Sequence, residues 1–577
     1  MSNIPVYPID FISDKNEISQ SIIEDLEILS FKDGNGCLAD EVFNTRTDAQ
    51  KVARNHLATT YTWNKQFISD TQKLLNDRAF EEEYPLDASN AYSSWCDIQQ
   101  EDGFVEKYQY IDWKWASHLN AIPQIMQASS LYHLTAPVIS LMVPILMLFV
   151  PFVILRIKGT SINLTEYTEA LKGVFKTHMI GKLFTEFGDG GWDKKIYLLV
   201  SVFFYLAQIY QNIAMCIRFY RNIQHIHSMF DNLEKHMLIN ISQLHKLKNR
   251  CSDLSSYSEF ADSLQSQITN ETEILQILQS LPTFRPTPGG ISRIGKCMST
   301  FYRLRFDAEY NDTINRSFAL TSYIHIMHSI QNRIADKTMS IPKIAKKTVL
   351  EKAIFPALIN ETQNEVVSNN INLQNNLLIT GPNASGKTTL LKNMLSNNIL
   401  VQQVGAGAFQ KGLVRPYEFF HCYINIPDTS GRDSLFQAEA RRCKDILDVI
   451  SSNSKSTHLC IFDELYSGTN PHEAISCGTA FLHYLSKNNM VNFMLTTHFS
   501  HVCANLKRVK KIKNMQMEVI EVYDPKVNAS EPIDFKYTFK CKKGISRVRG
   551  GIKVLRDLSY PNNIISNATN IIRSISI

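Results

Sequence analysis

The chain has 577 residues, 44% of them hydrophobic, and a formal charge of +5. A single core is excluded at this length, since domains run about 100–200 residues, so three or four structural units are expected. A charge this near balance neither demands nor excludes nucleic acid, and local patches carry more weight than the total.

The opening residues MSNIPVYPIDFISDKNE place acidic groups where a secretory signal needs a basic start and an apolar run, so no cleaved targeting peptide is expected. The eleven cysteines, among them Cys37, Cys96, Cys216, Cys443 and Cys541, form neither a C-x-x-C pair nor a dense cluster. Neither zinc nor haem nor a disulfide framework is therefore expected, and free thiols in a reducing compartment are the simpler reading.

Residues 1–125 read as a helical N-terminal region. EISQSIIEDLEILSF and DAQKVARNHLATTYTWNKQFI repeat apolar residues at three- and four-residue steps. Residues 126–220 read as a transmembrane pair. The run LTAPVISLMVPILMLFVPFVIL (134–155) is 22 residues long and uncharged, and a second run covers 196–217. At about 1.5 Å per residue each is long enough for a hydrocarbon core of about 30 Å. Pro137, Pro144 and Pro151 recur every seven residues near one helix face. Membrane helices tolerate this because neighbouring groups satisfy the freed carbonyls. Gln208, Gln211 and Asn212 in the second run need partners in lipid, and the first helix is where to expect them. Two buried helices of a soluble core form the competing reading. Between the runs, Leu164, Tyr167, Leu171 and Val174 share helical spacing, giving an amphipathic connection suited to a membrane interface. Residues 221–345 return to long helices, such as NIQHIHSMFDNLEKHMLINISQLHKLKN, interrupted by the turn signals of LPTFRPTPGG, and read as a lever arm.

Residues 346–577 carry the chemistry. Gly381, Pro382, Asn383, Ala384, Ser385, Gly386, Lys387 and Thr388 form a full G-x-x-x-x-G-K-[ST] loop, with Thr389 following, between an apolar strand at 377–379 and a helix. In such a loop backbone N–H groups wrap phosphates at the helix N-terminus, the lysine reaches the β- and γ-phosphates of ATP, and the threonine hydroxyl ligates Mg²⁺. About 75 residues on, the strand HLCIF ends in Asp463 and Glu464. Asp463 is expected to hold Mg²⁺ through water, and Glu464 to orient and polarise the attacking water. A third apolar strand, FMLTT, ends in His498, placed to sense the γ-phosphate.

The order GPNASGKTT, DTSGRDSLFQAEA (428–440), IFDELYSGTNP (461–471) and LTTHFSH (495–501) resembles the C-terminal ATPase domain of the MutS family of DNA mismatch-repair proteins, within the ABC-type ATPases. The resemblance covers roughly residues 346–577. It implies a homodimer with nucleotide at two composite sites, one subunit giving Lys387, Thr388, Asp463, Glu464 and His498, the other a serine. By position relative to Phe436 and Glu439, that trans-acting serine is Ser434. The tail GISRVRGGIKVLRDLSYPNNIISNA similarly resembles the segment that clamps the dimer.

The chain departs from the family in three places. Where the family reads Asp-Glu-x-Gly-Arg-Gly-Thr, this chain has Tyr466-Ser467-Gly468-Thr469, so the arginine is missing. Val366 stands where an aromatic stacks on adenine. The N-terminal mismatch-reading domain is expected to be missing, and Phe104-Val105-Glu106 echoes its Phe-x-Glu wedge without support from the surrounding sequence. The expected fold class is α plus α/β: a helical N-terminal region, a two-helix transmembrane hairpin, a helical lever arm and a C-terminal P-loop ATPase domain with a central β-sheet.

The expected protein is an integral membrane ATPase with its ATPase domain on the cytosolic side. Lys158, Lys172, Lys176, Lys182, Lys194 and Lys195 would by the positive-inside rule hold the connecting loop in the cytosol as well, so full and re-entrant hairpins both stay open. Basic clusters at Lys507, Arg508, Lys510, Lys511 and Lys513, and from Lys540 to Lys553, suit duplex DNA or acidic headgroups. Two functions follow: a membrane-anchored MutS-like ATPase that binds mismatched or branched DNA, or a membrane-tethering or remodelling ATPase without DNA. An ABC transporter is disfavoured, since two spans build a poor path and the Leu-Ser-Gly-Gly-Gln motif is missing.

Overall fold

The computed structural model describes residues 5–30, 37–80, 87–157, 164–177, 191–281, 288–361, 366–424, 434–522, 534–546, 548 and 550–575. The chain divides into two compact units, one of Met1–Tyr84, Ser242–Ser266 and Phe318–Ile577, the other of Pro85–Ile241 and Gln267–Ser317. All eleven cysteines are free thiols.

In the first unit β1 (Lys15–Glu17) pairs antiparallel with β2 (Thr60–Thr62). β3 (Lys343–Ile344), β4 (Val349–Ala353) and β5 (Asn369–Asn372) join β7 (Lys411–Val414) in a small sheet of order β3-β7-β4-β5. The larger sheet contains β6 (Asn376–Thr380), β8 (Phe419–Tyr423), β9 (His458–Asp463), β10 (Val491–Thr497), β11 (Ile512–Val522) and β12 (Asp534–Lys543), in the order β12-β11-β6-β10-β9-β8. Only its β11–β12 pair is antiparallel. β6 is buried along its whole length, and β9 along all but its last residue, as expected of parallel strands covered on both faces. The crossover helices Lys387–Val404, Leu435–Ser452 and Pro471–Ser486 supply that cover, and Leu378, Phe462, Phe493 and Leu482 form part of the common core.

The stretch DAQKVARNHLATTYTWNKQFI, expected as one helix, is two. Asp48–Thr59 ends where Thr59-Thr60-Tyr61-Thr62 begins, a run whose β-branched and aromatic side chains favour the pleated conformation of β2. The second helix, Lys65–Asn76, restarts at Asn64, whose Oδ1 accepts from the Phe67 N–H at 3.0 Å. These N-terminal elements lie against the helix that follows the phosphate loop: Gln402 Nε2 donates to the Thr62 carbonyl at 3.0 Å, and Gln403 Nε2 to that of Ala58 at 2.7 Å.

The second unit holds two long apolar helices, Pro123–Ile157 and the first part of Trp192–Cys251. The first continues without interruption through all three prolines. Residue 144 brings no N–H, so the Ser140 carbonyl loses its partner four residues on. Tyr205 on the other helix donates its hydroxyl to that carbonyl at 3.3 Å, and Asn212 Nδ2 donates to the Ser140 hydroxyl at 2.5 Å. Around this polar pin the helices present apolar side chains outward, including Val138, Leu141, Phe149, Phe203, Phe204 and Leu206. Among the described residues one helix, Lys195–Cys251, is long and apolar enough to cross a membrane.

A buried polar knot lies farther along the same unit. Glu271 is fully buried, accepting from Asn240 Nδ2 at 2.9 and 3.0 Å and from Gln267 Nε2 at 2.7 Å. Burial pushes its carboxyl up to about 7, against the opposing pull of the two amides and Arg316. Because the folded value exceeds the unfolded 4.5, this group's stabilising contribution is complete below pH 4.5 and is lost as the pH rises through 7. At about 1.4 kcal/mol per unit the loss approaches ~3 kcal/mol. Thermal unfolding of the detergent-solubilised protein between pH 4.5 and 7.5 should show Tm falling with pH, and Glu271→Gln should remove that part of the slope.

Candidate functional site

β10 hydrogen-bonds to β6 on one side and β9 on the other, with Thr497 opposite Thr380 and Thr496 opposite Asp463. The phosphate loop, the acidic strand end and the histidine strand end therefore emerge together at the C-terminal edge of the sheet, where open α/β sheets bind ligands. The loop turns into the helix Lys387–Val404 at Gly386, whose φ of +89° belongs to the left-handed region that glycine tolerates. A Cβ there would also stand 3.2 Å from the Phe539 ring, so glycine serves both the turn and the close approach.

Lys387 is buried, and its Nζ donates to the carbonyls of Gly381 at 2.9 Å and Pro382 at 3.4 Å. The same ammonium lies 3.2 Å from His498 Nε2 and 3.7 Å from Glu464 Oε1. Burial lowers its pKa, opposed by the charges of Glu464 and Asp463. His498 Nε2 and Glu464 Oε1 are 2.6 Å apart, and Glu464 adopts a φ of +52° to reach that position. Hydrogen bonding to His498 is the largest influence on Glu464 and holds its carboxyl below the usual range, against the effect of burial. Thr388 Oγ1 donates to Asp463 Oδ2 at 2.6 Å, while Thr496 donates its hydroxyl to Asp463 Oδ1. This pair of hard oxygen donors fits Mg²⁺, which is held by one or two protein oxygens and completes its shell with water and phosphate. No cluster of three or more metal-ligating side chains occurs among the described residues.

The structure thus brings together Lys387, Thr388, Asp463, Glu464 and His498. A cleft of about 490 Å³ opens beside them, lined by residues Pro382 to Thr389 together with Phe355, Val366 and Phe539. Phe355 and Phe539 were not singled out by sequence: one lies outside any motif, and the other enters through the antiparallel β11–β12 pair. Val366 lines the cleft as a half-buried side chain. Ser434 does not line it. It caps the helix Leu435–Ser452, its Oγ accepting from the Gln437 N–H at 3.3 Å and its own N–H donating to Gln437 Oε1 at 3.0 Å. Residues 428–433 of the serine motif, and Arg547 and Arg549 of the tail, lie outside the described residues.

The loop after Glu464 is held without the family arginine. Glu439 accepts from the Ser467 N–H at 3.1 Å, the Ser467 hydroxyl at 2.9 Å and the Gly468 N–H at 3.1 Å. Phe104 is buried among Tyr108, Tyr110 and Phe301, with the Arg305 guanidinium 4.8 Å from its ring centre. It is a core residue rather than an exposed wedge.

Residues 377–576 match the family described as MutS domain V. The DNA mismatch repair protein MutS of Persephonella marina is 23% identical over 278 residues, 47% of this chain and 30% of that protein. The MutS of Bacteroides fragilis is 27% identical over 312 residues, 53% of this chain and 32% of its own length. Endonuclease MutS2 of Lactococcus lactis is 26% identical over 264 residues, 45% of this chain and 32% of that protein. The chain thus spans about a third of the length of each of these relatives.

The Glu464–His498 contact gives a pH test of the site. Removing the imidazole should let the Glu464 pKa rise, so if Glu464 titrates in ATP turnover, the acid limb of its pH–rate profile should move to higher pH in His498→Ala. An unshifted limb would mean that a different group titrates.

Proposed function

We propose, from the premise that residues 377–576 are a MutS-family domain V, that the chain is a membrane-anchored ATPase which hydrolyses ATP at composite sites of a homodimer and responds to mismatched or branched DNA. The observation that carries the reading is the convergence of Lys387, Thr388, Asp463, Glu464 and His498 on one edge of the sheet. In this reading the backbone N–H groups of the loop and the Lys387 ammonium bind the phosphates at a helix N-terminus. Thr388 and Asp463 would hold Mg²⁺, which would offset phosphate charge. Glu464, kept ionised by its histidine partner, orients the attacking water and takes up its proton. Phe355 and Phe539 offer aromatic faces to the base where the family's stacking residue is replaced by Val366.

The membrane part of the proposal is a hairpin of the 134–155 and 196–217 segments. It is supported by the outward apolar side chains of both helices and by the Tyr205–Ser140–Asn212 pin, which satisfies polar groups internally as lipid requires. The ATPase domain would then lie on the cytosolic side. Residues 221–345 act as the arm through which closure of the dimer is passed on. A second reading, a tethering or remodelling ATPase without DNA, is favoured by one observation: Phe104, the sole echo of a mismatch wedge, is buried.

The deciding measurement is the ATPase rate of the solubilised protein alone and with homoduplex, mismatched and branched DNA. A rate change that disappears at high salt is expected. A rate indifferent to every DNA but responsive to liposomes would select the second reading. Glu464→Gln should lower turnover by about 100-fold or more in either case, the lower range for a lost general base.

Ser434 needs two variants, because it also caps a helix. Ser434→Ala should lose about 1 kcal/mol of stability together with turnover, whereas Ser434→Asn keeps a capping oxygen and should recover only the stability. Full turnover in the asparagine variant would rule out a catalytic hydroxyl supplied across the dimer.

A further inference from the structure

Asn120 is fully buried in the second unit, its Oδ1 accepting from the Ile111 N–H at 2.9 Å and its Nδ2 donating to the Ile111 carbonyl at 3.0 Å. One side chain thereby closes residues 111–120 into a loop with a fixed base. Just before it, the Tyr110 hydroxyl donates to the Met298 carbonyl at 2.7 Å. Just after it, Gln127 Oε1 accepts from the Gly295 N–H at 2.8 Å. Both attachment points lie on the helix Ile294–Phe306, three residues and so one turn apart. Gly295 permits this crossing, since a Cβ there would come within 2.3 Å of the Pro123 carbonyl oxygen.

Within this braced segment, at the start of the 3-10 helix Lys114–Ala121, Trp113 and Trp115 are 66% and 75% exposed. Their rings stack with centroids 5.7 Å apart and planes 11° from parallel. Exposed Lys114 stands between them, and Ala116 beneath is buried. Indoles bring a large apolar face and one N–H donor, the combination enriched where hydrocarbon meets headgroups. The loop leads into the helix Pro123–Ile157, whose exposed apolar side chains begin at Leu131. Those eight residues span about 12 Å of helix, so the loop is rooted within reach of the level at which that helix turns apolar.

We propose that this loop is an interfacial anchor: Trp113 and Trp115 insert into the headgroup layer of the bilayer that the hairpin crosses, and Lys114 meets lipid phosphate. The inference rests on the membrane reading above. A lipid surface suits the loop better than a nucleic-acid base, because the two rings already stack on each other and leave no slot between them. The anchor fixes the depth of the hairpin and, through Met298 and Gly295, the position of the helix that carries it.

The test reconstitutes the full-length protein into vesicles of phosphatidylcholine brominated near the carbonyl end of its chains and reads tryptophan quenching. The chain has five tryptophans, Trp63, Trp95, Trp113, Trp115 and Trp192. Trp192, 81% exposed at the start of the helix Trp192–Cys251, serves as the reporter for the hairpin itself. The W113F/W115F double variant changes only exposed side chains and should fold normally by circular dichroism. It is expected to lose most of the quenching seen in the unmodified protein, while the Trp192 contribution remains. Equal quenching in the two proteins, abolished by Trp192→Phe, would overturn the anchor and leave the membrane hairpin standing. Absence of quenching in every variant would remove the membrane reading and the anchor with it. Quenching of Trp113 and Trp115 by duplex DNA but not by brominated lipid would show that the occupant is nucleic acid and refute the lipid assignment.

Discussion

The register of β10 between β6 and β9 is the constraint on which the site depends. Its hydrogen bonds place Thr497 level with Thr380 and Thr496 level with Asp463. A phosphate loop, an acidic pair and a histidine that are far apart in sequence thus reach one edge of the sheet. Slipping β10 by one residue would turn its alternating side chains to the opposite face and would carry the Thr496 hydroxyl away from Asp463. That register is held by burial. β6 and β10 are almost wholly buried, and Leu378 on β6, Phe493 and Leu495 on β10 and Phe462 on β9 share one core cluster. Lys387 can remain buried because carbonyls and Glu464 surround its ammonium, a balance that only this alignment supplies.

The apolar helices obey the same accounting of polar groups in a different setting. Pro144 removes one N–H from the first helix, and Tyr205 on the second helix supplies a hydroxyl to the carbonyl left over. Asn212, which shares the second run with Gln208 and Gln211, pairs with Ser140 on the facing helix. In water neither bond would be needed, because solvent would take both roles. Residues otherwise selected for apolarity keep them, with the surrounding side chains turned outward.

Local order carried most of what could be read in advance. The phosphate loop, the strands ending in Asp463 and His498, and the Asn212 partner on the first apolar helix follow from apolar runs, glycine spacing and helical periodicity. These signals occupy a few neighbouring residues. Phe539 enters the cleft through the pairing of β12 with β11 and Phe355 through the connection from β4 to β5, neither of which leaves a short-range pattern. The break at Thr60–Thr62 was hidden because the apolar spacing continues across it, and β pairing with Lys15–Glu17 outweighs helix propensity there. The partners of Gln402 and Gln403 lie more than 300 positions away, beyond any periodicity argument.

The loop after Glu464 shows how a departure from the family pattern is absorbed. Tyr466 occupies a position where the pattern has glycine, yet it keeps a φ of +61°. For a bulky side chain that conformation costs on the order of 1 kcal/mol, offset here by burying the ring against Phe436 and Phe481. Ser467 replaces the arginine, and with Gly468 it gives Glu439 three hydrogen bonds. Gly468 is required by contact, since a Cβ would stand 2.7 Å from Leu435 Cγ and 2.9 Å from the Phe436 nitrogen. The segment that follows Glu464 is therefore fastened to the first turns of the helix that Ser434 caps. Any displacement of Glu464 must strain those contacts, and the helix that Ser434 caps is the first element to register it.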